Sequence, residues 1–131
     1  MAASSNSERI DRRALGQRGE RAAESFLCRR GLTVVHRNYH CRGGEIDLVM
    51  LDPNPQDAEV LAFVEVRLRG PGPVSGLESI GPMKQRRLIH AARHFLMSFP
   101  RWQDHPCRFD VVAIDSETDT LNWIPNAFEV A

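Results

Sequence analysis

The sequence predicts a single α/β domain built on a central mixed sheet flanked by helices, in the element order αβββαββ. Three observations lead there. The chain has 131 residues, which at about 150 residues per domain is one domain with room for a buried core. Its apolar residues switch between helical spacing and strict alternation, with three strand-like runs, then a helical stretch, then two more strand-like runs. Its makeup, 42% hydrophobic and 26% charged with 9 Gly and 8 Pro, is that of a globular protein and excludes wholesale disorder and collagen-like repeats.

The elements follow in order. Residues 1–10 are rich in Ala, Ser and Asn and read as a disordered N-terminal tail, leaving 11–131 as the single domain. Gln17 to Arg30 reads as a helix with Ala22, Ala23, Phe26 and Leu27 as its apolar face and Gly31 as its C-cap. Glu20 and Glu24 border that stripe, because 20, 23, 24 and 27 are spaced i, i+3, i+4, i+7. Leu32 to Asn38, rich in β-branched residues, is the first strand. Glu45 to Leu51, entered through Gly43-Gly44, is the second; strict alternation puts Glu45, Asp47 and Val49 on one face and Ile46, Leu48 and Met50 on the other. Two prolines break the loop 52–59. Val60 to Arg69 is the third strand, with Leu61, Phe63, Glu65 and Arg67 on one face and Ala62, Val64, Val66 and Leu68 opposite. These two strands read as a hairpin, and the Gly/Pro-rich loop 70–76 follows. Pro82 to Phe99 is the second helix, apolar through Met83, Leu88, Ala91, Ala92, Phe95 and Leu96 and basic through Lys84, Arg86, Arg87 and Arg93. Arg108 to Asp115 and Thr120 to Pro125 complete the sheet.

No run approaches the 18 or so apolar residues a membrane helix needs, and the polar N-terminus lacks the apolar stretch of a secretory leader. The expectation is a cytoplasmic protein with no membrane partner. Cys28, Cys41 and Cys107 are odd in number and lack CxxC spacing, so reduced thiols are expected. Cys41 with His36 and His40 fits no standard zinc pattern, and His90 with His94 lacks the glutamate of an HExxH helix.

Net charge is zero, with 17 basic and 17 acidic residues, but it is distributed in blocks. Residues 1–42 carry +5, 43–66 carry −6, 67–108 carry +6 and 109–131 carry −5. A neutral protein can present a basic face if such blocks segregate in space. Sixteen of the bases are Arg; Lys84 is the one lysine, which marks it as a position where an ammonium matters.

The sharpest chemical feature is Asp47 followed on the next strand by Glu65-Val66-Arg67. A hairpin can bring the two acids together. Carboxylates about 4 Å apart repel by roughly 4 kcal/mol at an effective dielectric near 20. A proton, an arginine or a divalent cation must offset that. Hard oxygen donors suit Mg²⁺ or Mn²⁺, held by Asp47, Glu65 and the main-chain carbonyl of Val66. Such an ion would polarise a phosphodiester and lower the pKa of an attacking water. An ion pair of either acid with Arg67 or Arg69 on a half-exposed sheet fits the same spacing.

These stretches resemble the YraN-type uncharacterised protein family of the restriction-endonuclease-like PD-(D/E)xK superfamily, which is similar to archaeal Holliday junction resolvases. The matching segments are GQRGERAAESFL (16–27), RN (37–38), GGEIDLVM (43–50), FVEVRLR (63–69), Lys84 and RFDVVAI (108–114). The resemblance implies a three-layer fold and a metal-dependent DNA endonuclease, acting on branched, junction or single-stranded DNA, with a dimer suiting symmetric junction cuts. It carries catalytic roles onto Glu20, Asp47 and Glu65, aligns Glu45 with the Gly-Glu-Ile-Asp signature, and aligns Arg108 and Asp110 with the Arg-Phe-Asp-Val strand. Arg67 stands where the family pattern has lysine. Arginine keeps the charge but cannot act as a base, so Lys84 on the second helix is the candidate to supply the missing ammonium. Arg69, Arg86 and Arg87 are the candidate phosphate contacts. The competing expectation is a nucleic-acid-binding domain of the same fold without catalysis.

Overall fold

In the α1 helix (Gly19–Arg29) the buried side chains are Ala23, Phe26 and Leu27, the stripe the spacing predicts. The computed structural model describes residues 7–9, 19–53, 58–69, 80–115, 117–118 and 120–130, the side chains of 7–9 and 69 excepted. α1 ends in a Schellman motif: Gly31 adopts φ 98°, its N–H bonds Cys28 O, and the Leu32 N–H bonds Leu27 O. Gly31 takes the left-handed φ that a side chain would resist.

Six strands form one sheet in the order β1-β6-β5-β4-β3-β2. They are β1 (Ser7–Arg9), β2 (Thr33–Cys41), β3 (Gly44–Asp52), β4 (Val60–Arg69), β5 (Cys107–Asp115) and β6 (Thr120–Phe128). β4 and β5 are parallel and every other pair is antiparallel, so the sheet is mixed as expected. The crossover between β4 and β5 carries the α2 helix (Pro82–Ser98), which starts with Pro82 in the first turn, where a missing N–H costs nothing. A short 3₁₀ turn, Pro100–Trp102, follows it.

The helices cover opposite faces, giving three layers. α1 packs on Leu48, Met50, Ala62, Val64, Val112 and Ile114. α2 packs Leu88, Ala91, Ala92 and Phe95 on Ile46, Val49, Leu61, Phe63 and Phe109. The two faces predicted for β4 are therefore the two faces observed. Among the described residues no helix is long and apolar enough to cross a membrane.

Several expectations change. Ser7–Arg9, inside the stretch read as a tail, pair with Thr120–Asn122 of β6. The predicted alternation of β3 fails at its start: Ile46 packs under α2 with Val49, while Leu48 and Met50 face α1. Met83 is 67% exposed rather than part of the apolar side of α2. At 100° per residue it points outward, and Lys84 takes its place on the buried line through Leu88, Ala91 and Phe95. β6 runs on through Pro125, which is tolerated because β1 pairs only with 120–122 and leaves that edge free. The loop 70–76 lies outside the described residues.

Candidate active site

The irregular start of β3 builds the site. The β3–β4 ladder runs from Asp52–Val60 to Leu48–Val64 and stops. Beyond it the strands part, and the Asp47 carboxylate fills the gap by accepting the Val66 N–H at 2.8 Å. A strand residue's N–H and C=O point to the same side, so the Val66 carbonyl faces the same gap. Asp47 is thereby reachable from both faces of the sheet. From the α1 side Glu20, in the first turn of that helix, shares a hydrogen bond with it. From the α2 side come Glu65, on the face shared with Leu61 and Phe63, and Lys84, whose Nζ lies 3.1 Å from Glu65 Oε2.

The electrostatics are those of carboxyl groups crowded together and buried. Glu65 is pushed up to about 7, by burial first and then by the charge of Asp47, against the pull of Lys84. Asp47 is raised by burial, against the Val66 N–H bond. Glu20 is raised by burial and by Asp47, with a hydrogen bond from Asn38 opposing. Arg67 adds positive potential at Glu65, and its Nε is buried without a hydrogen-bond partner.

Thus Glu20, Asp47, Glu65 and Lys84 converge, with the Val66 main chain against Asp47 and Arg67 beside Glu65. Arg87 lines a small pocket with Glu45, Glu65, Lys84 and Leu88. Arg86 is exposed on the outward side of α2, away from the core line. The Arg69 side chain lies outside the described residues. Among the described residues no three His, Cys, Asp or Glu side chains stand as a preformed metal cage. The donor set nevertheless fits a hard divalent cation: two carboxylates whose pKa values are raised first by burial, plus a main-chain carbonyl.

Arg108 and Asp110 belong elsewhere. Asp110 is fully buried and accepts from Arg108 Nε at 2.9 Å and Nη2 at 3.1 Å, from Trp123 Nε1 at 3.1 Å and from the Asn126 N–H at 2.9 Å. Arg108 also reaches Asp52 at 3.0 Å. Asp52, assigned from sequence to a loop, is a buried end residue of β3. This network ties β3, β5 and β6 together at the opposite end of β3 from Asp47.

The sequence reading missed two supports of the site. The first is the turn before β3. A Cβ on Gly44 would lie 2.3 Å from the Arg87 carbonyl oxygen, so only glycine lets α2 lie this close, and His90 Nε2 bonds Arg42 O at 2.9 Å across the same contact. The Gly-Gly pair was the available signal. The second is Asn38, with φ 51°, whose side chain bonds Glu20. An asparagine within a β-branched run was its signal.

A mixed-sheet α/β domain with carboxylates and a lysine gathered at a split between two strands is the class that fold and site define. Residues 19–114 match the model of the uncharacterised protein family UPF0102, the YraN family, and the chain belongs to that family. The UPF0102 protein of Pseudomonas fluorescens is 47% identical over 115 residues, covering 87% of this chain and 92% of that protein. Its counterpart in Nitrosococcus oceani is 48% identical over 118 residues, covering 88% and 91%. That of Pseudomonas syringae is 42% identical over 126 residues, covering 93% and 98%.

Proposed function

We propose that the protein is a Mg²⁺- or Mn²⁺-dependent DNA endonuclease, with branched or junction DNA as its substrate class. The observation that carries this reading is the meeting of Asp47, Glu65 and Lys84 at the end of the β3–β4 ladder, with Lys84 Nζ 3.1 Å from Glu65. A structural ion pair would need one acid per cation; here Glu20 and Asp47 hydrogen-bond each other beside the Glu65–Lys84 pair.

Asp47, Glu65 and the Val66 carbonyl would hold the cation, which when bound supplies Lewis acidity toward a phosphodiester and a lowered pKa for water. Val66 N–H orients Asp47. Lys84 brings a compact ammonium to the place where phosphate charge builds up, and unlike arginine it can shed its proton. Arg67 draws Glu65 slightly back down by its charge, less than burial and Asp47 raise it, and cannot serve as a base. Glu20 hydrogen-bonds Asp47 and so helps hold its carboxylate in place. Arg86 and Arg87 on α2 would meet phosphates flanking the cut.

The test pairs calorimetric Mn²⁺ titration with cleavage of four-way-junction, flap and single-stranded DNA. Wild type binds Mn²⁺ and cuts at least one substrate. Asp47→Asn and Glu65→Gln lose both, with cleavage down by about a thousandfold or more. Lys84→Ala binds Mn²⁺ but loses cleavage more completely than Lys84→Arg. Wild type that binds DNA with a steep salt dependence yet cuts nothing would leave a binding module in place of the enzyme.

A further inference from the structure

Beside the carboxylates, between α1 and β2, lies a groove of about 600 Å³, within the roughly 300–1,000 Å³ of small-ligand clefts. It begins at Glu20, the residue hydrogen-bonded to Asp47, so groove and acids share a wall. Among the described residues its lining sets Arg21 and Arg37 beside Glu20 and Glu24. A phosphate gains little there, because the Arg37 guanidinium is already held by Glu24 through two bonds of 2.8 and 2.9 Å. A neutral ligand with hydrogen-bonding edges gains more, since Asn38 and Ser25 offer amide and hydroxyl groups. The two bonds to Glu24 also fix the plane of a guanidinium whose side chain remains 62% exposed. An immobile, open guanidinium plane is a surface on which a nucleobase stacks.

Resting on the nuclease reading, we infer that this groove is a nucleoside subsite next to the scissile phosphate, with the base stacked on Arg37 and its edge read by Asn38 and Ser25. The phosphate remains at the acids and Lys84, and the base enters the groove.

The experiment is fluorescence anisotropy in EDTA, where no cleavage occurs. The probes are a labelled single-stranded oligothymidylate and the same strand carrying abasic sites. Wild type is expected to prefer the intact strand by about tenfold, the scale of one base stack. Arg37→Lys keeps the charge but has no plane, and is expected to bind both strands alike. Glu24→Gln frees the guanidinium to rotate and should lose part of the preference, about threefold. Circular dichroism establishes that the variants fold. Wild type that binds neither strand, or does not discriminate, or an Arg37→Lys variant that keeps the full preference, overturns the subsite. Metal-dependent cleavage by wild type, assayed separately, isolates the underlying reading: preference without cleavage refutes the nuclease and keeps the subsite, and cleavage without preference does the reverse.

Discussion

Asp47 and Asp110 each lie where a strand ladder is interrupted, and each accepts a main-chain N–H from the neighbouring strand, Val66 at 2.8 Å and Asn126 at 2.9 Å. Their remaining partners are opposite in kind. Asp110 receives both forks of Arg108 and the Trp123 indole, and Arg108 gathers in Asp52 as well. Asp47 receives another carboxyl group, Glu20, and stands in the field of Glu65. One buried acid is saturated with donors and fastens the sheet; the other, among the described residues, has no ion-paired cation of its own. The difference separates a structural carboxylate from the one on which the proposed metal chemistry rests. Both accept a main-chain N–H, Asp47 from a residue within β4 and Asp110 from the left-handed Asn126, and the ion pair with Arg108 sets them apart.

The comparison can be broken most forcefully at Asp110. Replacing it with Ala strands Arg108 without its bidentate partner and leaves the Trp123 and Asn126 donors unpaired. The expected loss of stability is about 3–5 kcal/mol, read by urea denaturation. A loss below about 1 kcal/mol would put Asp110 in the same class as Asp47.

Glu65 should behave in the reverse sense. Its carboxyl titrates near 7 in the folded protein against 4.5 as a free side chain. The folded state thus holds the proton more tightly, and stability falls as pH rises from about 4.5 to about 7, by up to about 3 kcal/mol. Glu65→Gln should flatten that fall and leave the protein more stable than wild type at pH 8. Added Mn²⁺ should restore wild type at pH 8 and do little at pH 5, where protons compete. Unfolding curves at the two pH values read both effects.

The smallest effect expected is at the turn that sets α2 on the sheet. Gly44→Ala forces the Arg87 carbonyl away and should cost about 1–3 kcal/mol in thermal unfolding. Because the same shift carries Lys84 off Glu65, cleavage should fall further than stability does. Equal losses would mean that the glycine serves packing alone.

Much of this was written in the residue pattern. β4 has the predicted ends and both predicted faces, because an unbroken ladder with β5 enforces the two-residue period along its whole length. Lys84 was conspicuous as the one lysine, and its line through Leu88, Ala91 and Phe95 is readable from helical spacing. The split at Asp47 was not readable. Simple alternation put Ile46 with Leu48, and only the end of the β3–β4 pairing frees Ile46 to join Val49. Nor does any local signal say that Glu20, from the helix on the other face, meets Asp47 through that split. The role of Asp110 was equally hidden, since its partners come from its own strand and from β6, at separations of 2, 13 and 16 residues, while Arg108 reaches Asp52 across 56.

The two rims of the sheet bear on self-association. On one side β1 is only three residues long. On the other, β2 is dislocated between Val34 and His36 and carries the left-handed Asn38. Among the described residues neither rim offers a long, flat row of amides for a neighbour to zip onto. A neighbouring copy therefore finds little described strand edge to extend, which spares the protein a route into fibrous aggregates.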